Sequence, residues 1–255
     1  MDFSQLAEEE KLFLRRLEDL SGLAALKHSA RFTSFLNERQ LLIAEAYLIK
    51  SRCEQGLFYG GFPGALRKML GFFPGFTEPA AEAFPILGIQ VSFPRKEELT
   101  HRDFLGALLS LGVKREVIGD ILLNSGCGRI YAAAPVAGVI LEELRKVGRV
   151  GVRCTLALPE DVFTAEQAFL PCSGTVHSTR LDCLVALFTG LSREKSAGLI
   201  AAGLVQQNAA CARSVSQQFF VNDKISIRGY GKYIVDDIGF PTKKNRLPVR
   251  GRKFL

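Results

Sequence analysis

The sequence predicts an α+β protein built from two or three compact units, and three observations carry that prediction. The first fifty residues repeat apolar side chains at helical spacing, the middle third alternates strand-like with helical runs, and the last part sets two short helical faces before short alternating strands. Of the 255 residues, 47% are hydrophobic, 23% charged and 9% aromatic. That balance belongs to folded globular domains, and it excludes disordered and fibrous classes.

Residues 3–52 read as helices, through Leu6, Leu12, Leu14, Leu17 and Leu20 and then Leu41, Leu42, Ala46 and Ile49. Gly56 and the cluster Gly60-Gly61-Phe62-Pro63-Gly64 break the pattern. Phe58-Tyr59-Gly60-Gly61 is aromatic enough to contact a base, but a strand-end turn explains it more simply. Phe84 to Phe93 is β-rich, Thr100 to Leu111 helical, and Ile118 to Leu123 and Gly128 to Ala132 are short apolar runs. Pro135 opens a helix extending to Val147, because proline suits a first helical turn, and Val150 to Leu158 is a strand. Helices on one small sheet follow from that order. From Val162 periodicity fades through Pro171, Ser173 and Gly174, the signature of a linker or last strand before a new domain.

Beyond Ser178, Leu181, Leu184, Val185, Leu187 and Phe188 form a helical face ending near Gly190. Ser192 caps a second helix with the face Ala197, Leu199, Ile200 and Ala201, which Gly203 stops. Val205 begins a short strand, Asn208 occupies a turn, and Asp223 to Gly229 alternates as a further strand. The expected divisions are a mainly helical region 1–75, an α+β region and linker 76–177, a C-terminal domain 178–241 and a basic tail 242–255.

The net charge of +7 sits at one end. Residues 1–75 carry 10 basic and 9 acidic side chains, residues 76–177 carry 10 and 12, and residues 178–255 carry 13 and 5. Such asymmetry points to a polyanionic partner. Lys243, Lys244, Arg246, Arg250, Arg252 and Lys253 follow Pro241 without an intervening acid. Read as an exposed tail, this stretch would contribute to affinity far more than to stability.

Other classes are disfavoured. Acidic residues Glu8, Glu9, Glu10, Glu18 and Asp19 exclude a secretory signal at the start, and the longest apolar stretch, Ile130 to Leu141, is too short to span a bilayer. The six cysteines form no C-x-x-C pair, so a zinc site or disulfide framework is not expected, nor any cofactor. His101-Arg102-Asp103 resembles part of a kinase catalytic loop, yet Leu108 stands where that loop needs asparagine and no D-F-G follows. Thr100 is better read as a helix cap with Asp103 in the first turn, and His101 as its neighbour, not a catalytic base.

The series Arg180-Leu181-Asp182, Leu191-Ser192-Arg193, Leu199 to Val205, Asn208 and Asp223 to Gly229 resembles the S4-type RNA-binding domain. One departure is Gln206, where a basic residue is common, which weakens the case for a phosphate contact from that strand. Leu99 to Leu109, Leu111-Gly112-Val113-Lys114-Arg115, Ile118 to Leu122 and Phe58 to Pro63 are similar to the signature of YlmH-like proteins. The resemblance implies a helical N-terminal region, a ferredoxin- or RRM-like middle domain and an S4 domain. It further implies a factor that binds ribosomal RNA and tRNA on the large subunit in ribosome-associated quality control, with a link to cell division; from the residues themselves a non-enzymatic cytoplasmic protein is expected, its oligomeric state open with a monomer favoured.

The residues expected to meet RNA are Arg180, Ser192, Arg193, Lys195, Asn208, Arg228, Lys232, Lys243, Lys244 and Arg246. Arg180, Arg193 and Lys195 would stand at two helix N-termini, where backbone N–H groups already favour phosphate. The competing reading for Arg180 is an ion pair with Asp182 or a tail carboxylate. Arg102, Lys114 and Arg115 would form a second surface, unless they are solvated helix charges. The rival functions are an RNA-modifying enzyme such as a pseudouridine synthase, for which no catalytic motif stands upstream, and a division-site or membrane adaptor using the basic tail on anionic lipid.

Overall fold

The computed structural model describes residues 3–158, 161, 163, 169–212, 214–242 and 244–254. The chain divides into two compact units, Met1–Glu166 and Gln167–Leu255.

The first unit begins with α1 (Glu8–Lys27), β1 (Arg31–Phe32), α2 (Glu38–Ser51), β2 (Gly56–Tyr59) and β3 (Met69–Phe72). α2 starts where the Asn37 side chain accepts the amide of Gln40 and the Gln40 side chain accepts that of Asn37, a reciprocal cap. The three strands form an antiparallel sheet in the order β1-β3-β2, and Leu17, Ala24, Leu36, Ala44, Leu70 and Phe72 fill the core between it and the helices.

There follow β4 (Ile86–Ser92), α3 (His101–Ser110), β5 (Ile118–Asn124), β6 (Cys127–Ala133), α4 (Ala134–Glu143), the short hairpin β7 (Lys146–Val147) and β8 (Val150–Gly151), and β9 (Arg153–Leu156). β5, β6, β4 and β9 pair antiparallel in that order, a split βαβ arrangement with α3 and α4 on one face. Thr100 and Asp103 cap α3 reciprocally, as the spacing predicts. The helix opened by Pro135 ends at Glu143, short of the expected Val147, because Lys146 and Val147 pair with β8.

No boundary falls at residue 75. The Phe35 amide donates to the Glu116 carbonyl, and Phe35, Met69, Phe73, Phe84 and Ala133 share one apolar cluster. Gly119 permits this contact, since a Cβ there would lie 2.7 Å from the Phe35 ring. Arg67 clamps the junction, its guanidinium donating to the carbonyls of Phe35, Arg115 and Ile118. The Asp120 carboxylate accepts the amides of Leu66 and Arg67. Burial pushes Arg67 down to about 10 and raises Asp120 above its ordinary value.

The second unit comprises β10 (Phe169–Val176), α5 (Leu181–Thr189), α6 (Arg193–Ala201), β11 (Val205–Gln207), β12 (Ala210–Cys211), β13 (Lys224–Ile227), β14 (Gly231–Ile238) and β15 (Leu247–Phe254). Gly190, at φ 71°, ends α5 in the left-handed conformation that glycine adopts at low cost. One sheet runs β10-β15-β14-β13-β11-β12. Leu181, Leu184, Val185, Phe188 and Ile200 from the helices pack on Val176, Val205, Ile225, Ile227, Tyr233, Val235 and Val249 from the strands.

Two expectations are corrected here. The second unit does not begin at Ser178: of the two readings of the stretch before it, linker and last strand, the strand is what forms, as β10, and it belongs to the second unit, Gln167–Leu255. Nor is 242–255 a tail: residues 247–254 form β15, which hydrogen-bonds to β10 on one side and β14 on the other, with Val249 buried. Its alternation of basic with small or apolar residues is a strand period hidden under the charge run.

Candidate nucleic-acid interface

The basic helix starts converge on one acid. Asp182, in the first turn of α5, is almost inaccessible, its side chain 5% exposed. Its carboxylate accepts Arg180 Nε at 3.1 Å and Nη2 at 3.2 Å, and Arg193 Nε at 2.8 Å. It also accepts the Cys183 amide. Burial acts to raise the Asp182 carboxyl, but the hydrogen bonds and charges of the two arginines together outweigh it and hold the group below the ordinary carboxylate range.

The ion pair weighed for Arg180 is therefore present, and Arg193 shares it. Both arginines nonetheless keep solvent faces, with side chains 35% and 52% exposed. Two guanidinium groups fixed by one buried carboxylate are oriented before any ligand arrives, which lowers the entropy lost on binding.

The helix termini differ from each other. At α5 the Leu181 amide donates to Gln217 O and the Asp182 amide to Val215 O, so its leading N–H groups are spent within the protein. The expectation that backbone amides at this terminus meet phosphate is corrected. At α6, Ser192 Oγ accepts the Lys195 amide, and the amides of Arg193 and Glu194 donate to no acceptor among the described residues. Ser192 is thus a cap, while the Lys195 side chain is exposed beside it.

Asn208 is structural. Its Nδ2 donates to Asp223 and its Oδ1 accepts the Lys224 amide, fixing a left-handed turn residue at φ 50°. Asp223 also accepts Gln207 Nε2 and the Phe220 amide, a buried network that sequence spacing could not reveal because its members lie far apart in the chain. Arg228 is exposed just past β13, and Lys244 and Arg246 are exposed before β15, with Arg246 Nη2 3.1 Å from His177 Nε2. Lys232 lies on β14 near the Phe254 ring. Lys243 lies outside the described residues.

In the first unit Arg102 and Lys114 are exposed, whereas Arg115 is partly enclosed and donates to the carbonyls of Ile118 and Gly119. The proposed second surface thereby loses one member, because that guanidinium already serves the backbone. Among the described residues no cluster of three or more His, Cys, Asp or Glu side chains is arranged to hold a metal ion.

Residues 79–158, from the second sheet of the first unit, match the family model described as the putative RNA-binding domain in YlmH. Over nearly its whole length the chain is similar to the ribosome-associated protein quality control protein P2 of Bacillus subtilis (strain 168), with 27% identity over 249 residues, 97% of this chain and 96% of that protein. The segment 79–158 thus resembles the YlmH RNA-binding domain. A solved structure, the cell division protein ylmH from Streptococcus pneumoniae, is 20% identical and covers 62% of this chain and 96% of its own, at a TM-score of 0.49. The match to the RNA-binding model covers β4 to β9, and the converging arginines lie outside it in the second unit.

Proposed function

We propose that the chain is a ribosome-associated RNA-binding factor that works without chemistry. It grips structured RNA, ribosomal RNA and tRNA on the large subunit, in quality control of stalled peptidyl-tRNA. The observation that carries this reading is the pair of half-exposed guanidinium groups set by Asp182 in a unit holding 13 basic against 5 acidic residues over 178–255.

A-form RNA hides its base edges in a deep groove, so a protein recognises it by phosphate spacing and shape. Preset guanidinium groups and the exposed Lys195, Arg228 and Lys244 suit that mode. The name and full-length similarity of the Bacillus relative support the ribosome as the place where this RNA is met.

The test is binding of the full-length protein to ribosomal RNA across a salt series, with sedimentation on ribosomal subunits. Affinity is expected to fall steeply as salt rises, and Arg180→Ala with Arg193→Ala to weaken it by about tenfold or more; because the double change also strips the buried Asp182 of its partners, the melting temperature should fall, and binding is measured at a temperature where circular dichroism shows the variant folded. Equal affinity of variant and parent would remove these residues from the interface. Absence of RNA binding at low salt would end the reading.

A further inference from the structure

Helices α5 and α6 cover only one face of the six-stranded sheet. Residues directly opposed across antiparallel strands project to the same side, so the pairings identify what the other face carries. Val249 and Val235 point to the helices; the alternate positions Phe169, Arg252, Phe254, Lys232 and Ile234 therefore point away. Arg250 follows on β15, and Lys224 pairs with Ile234 from β13.

These side chains are arranged in a stack. The Phe169 and Phe254 rings meet edge to face at 5.1 Å. The Arg252 guanidinium lies over Phe169 at 4.7 Å, and Lys232 Nζ is 5.6 Å from the Phe254 ring. Asp236 accepts Arg252 Nε at 2.9 Å and holds its plane in place. Four cations, Lys224, Lys232, Arg250 and Arg252, stand on this face against Asp236 and Asp237.

We propose that this helix-free face, centred on Phe169, Arg252 and Phe254, is a second RNA site that takes single-stranded RNA by stacking bases on the rings and the guanidinium plane while the exposed Arg250 meets phosphate. Charge complementarity selects a polyanion, and the paired rings select one with flat π faces. An acidic peptide would satisfy the positive charge but leave the stacking surface without a partner. The site stands on the strands flanking the S4-like segment, so it differs from the arginine pair at the helix starts. It rests on the reading of the chain as an RNA binder, and the two sets of variants separate their failures.

The chain contains no tryptophan, so Phe254→Trp in the full-length protein supplies a single reporter on this face. Single-stranded oligouridylate is expected to quench its emission by about half, and Phe254→Ala to weaken binding of that oligomer by about fivefold or more, the scale of one lost base stack. Arg252→Lys keeps the charge but removes the stacking plane, and is expected to cost about threefold. Polyglutamate at equal charge is expected to leave the emission unchanged.

Quenching by polyglutamate to the same extent would overturn the RNA site in favour of an acidic protein partner. Unchanged emission, with RNA binding that still depends on Arg180 and Arg193, would overturn this site alone. Loss of RNA binding by the parent protein would overturn both. Should Phe254→Ala fail to fold, the tryptophan and lysine variants decide.

Discussion

The arginines at the junction of the first unit and those of the second do different work. In the first unit Arg39 is paired with Glu10, but Arg67 donates to three backbone carbonyls, Arg115 to two, and Arg129, 5% exposed, to Gln90 Oε1 and Asp161 O with the Asp161 carboxylate 3.9 Å away. In the second, Arg180 and Arg193 share the buried Asp182 and Arg252 meets Asp236, each with part of its guanidinium still in solvent. A guanidinium bound to carbonyls is a brace, because backbone oxygens consume its N–H groups. One tethered to a carboxylate is held in place but can still meet an anion with its remaining donors. Net charge counts both alike, which is why totals identify the second unit as basic but cannot tell which cations are usable.

The largest test of that contrast is deletion of residues 247–255. Because β15 lies between β10 and β14, its loss should abolish the cooperative melting of the second unit while the first retains its own transition, measurable by calorimetry or hydrogen exchange. If only RNA affinity fell and both transitions survived, β15 would be dispensable for the fold. Next in size, Arg67→Ala removes a brace between the parts of the first unit. It should cost roughly 2–3 kcal/mol in denaturant unfolding, the order for charged hydrogen bonds lost at a partly buried site, and leave RNA affinity unaltered. Smaller again, Asp182→Ala frees both arginines. It should cost about 1–2 kcal/mol and weaken RNA binding despite adding net positive charge. Tighter binding by that variant would show that charge, not orientation, governs the site.

Much of this architecture is legible in the sequence. The capping pair Thr100 and Asp103, the Ser192 cap, and the Gly190 and Gly203 stops are local rules that tertiary contacts leave intact. β15 was obscured because its polar face is made of Arg250 and Arg252, and a charge run conceals the alternation that Val249 and Gly251 complete. The junction through Arg67 and Asp120 joins residues more than fifty positions apart, a contact that no local pattern encodes. For the candidate site, Arg180 and Arg193 could be picked from the helix starts. The role of Asp182 was open, and the Gln217 and Val215 carbonyls that seal α5 had no signal at all, since a carbonyl is present at every residue.

The smallest expected effect sets the buried Asp182 against the partly buried Asp120. Asp182 is held below the reference value of 3.8, so its contribution to stability is present above that value and disappears as pH falls through its lowered folded pKa. Asp120 is raised above 3.8, chiefly by burial. Its proton is therefore bound more tightly in the folded state, and the stabilisation this gives is complete below 3.8 and fades as pH rises through the raised value. Unfolding curves between about pH 3 and pH 6 should accordingly change slope in opposite senses in Asp182→Asn and Asp120→Asn. The first variant should lose some of the parent's acid sensitivity, and the second some of its decline toward neutral pH. If both variants shifted in the same direction, one carboxylate would not occupy the electrostatic setting that its neighbours imply. Asp120 would then be the one in question, because burial raises it against two amide donors and the charges of Arg67 and Arg115, whereas Asp182 has two full positive charges in contact.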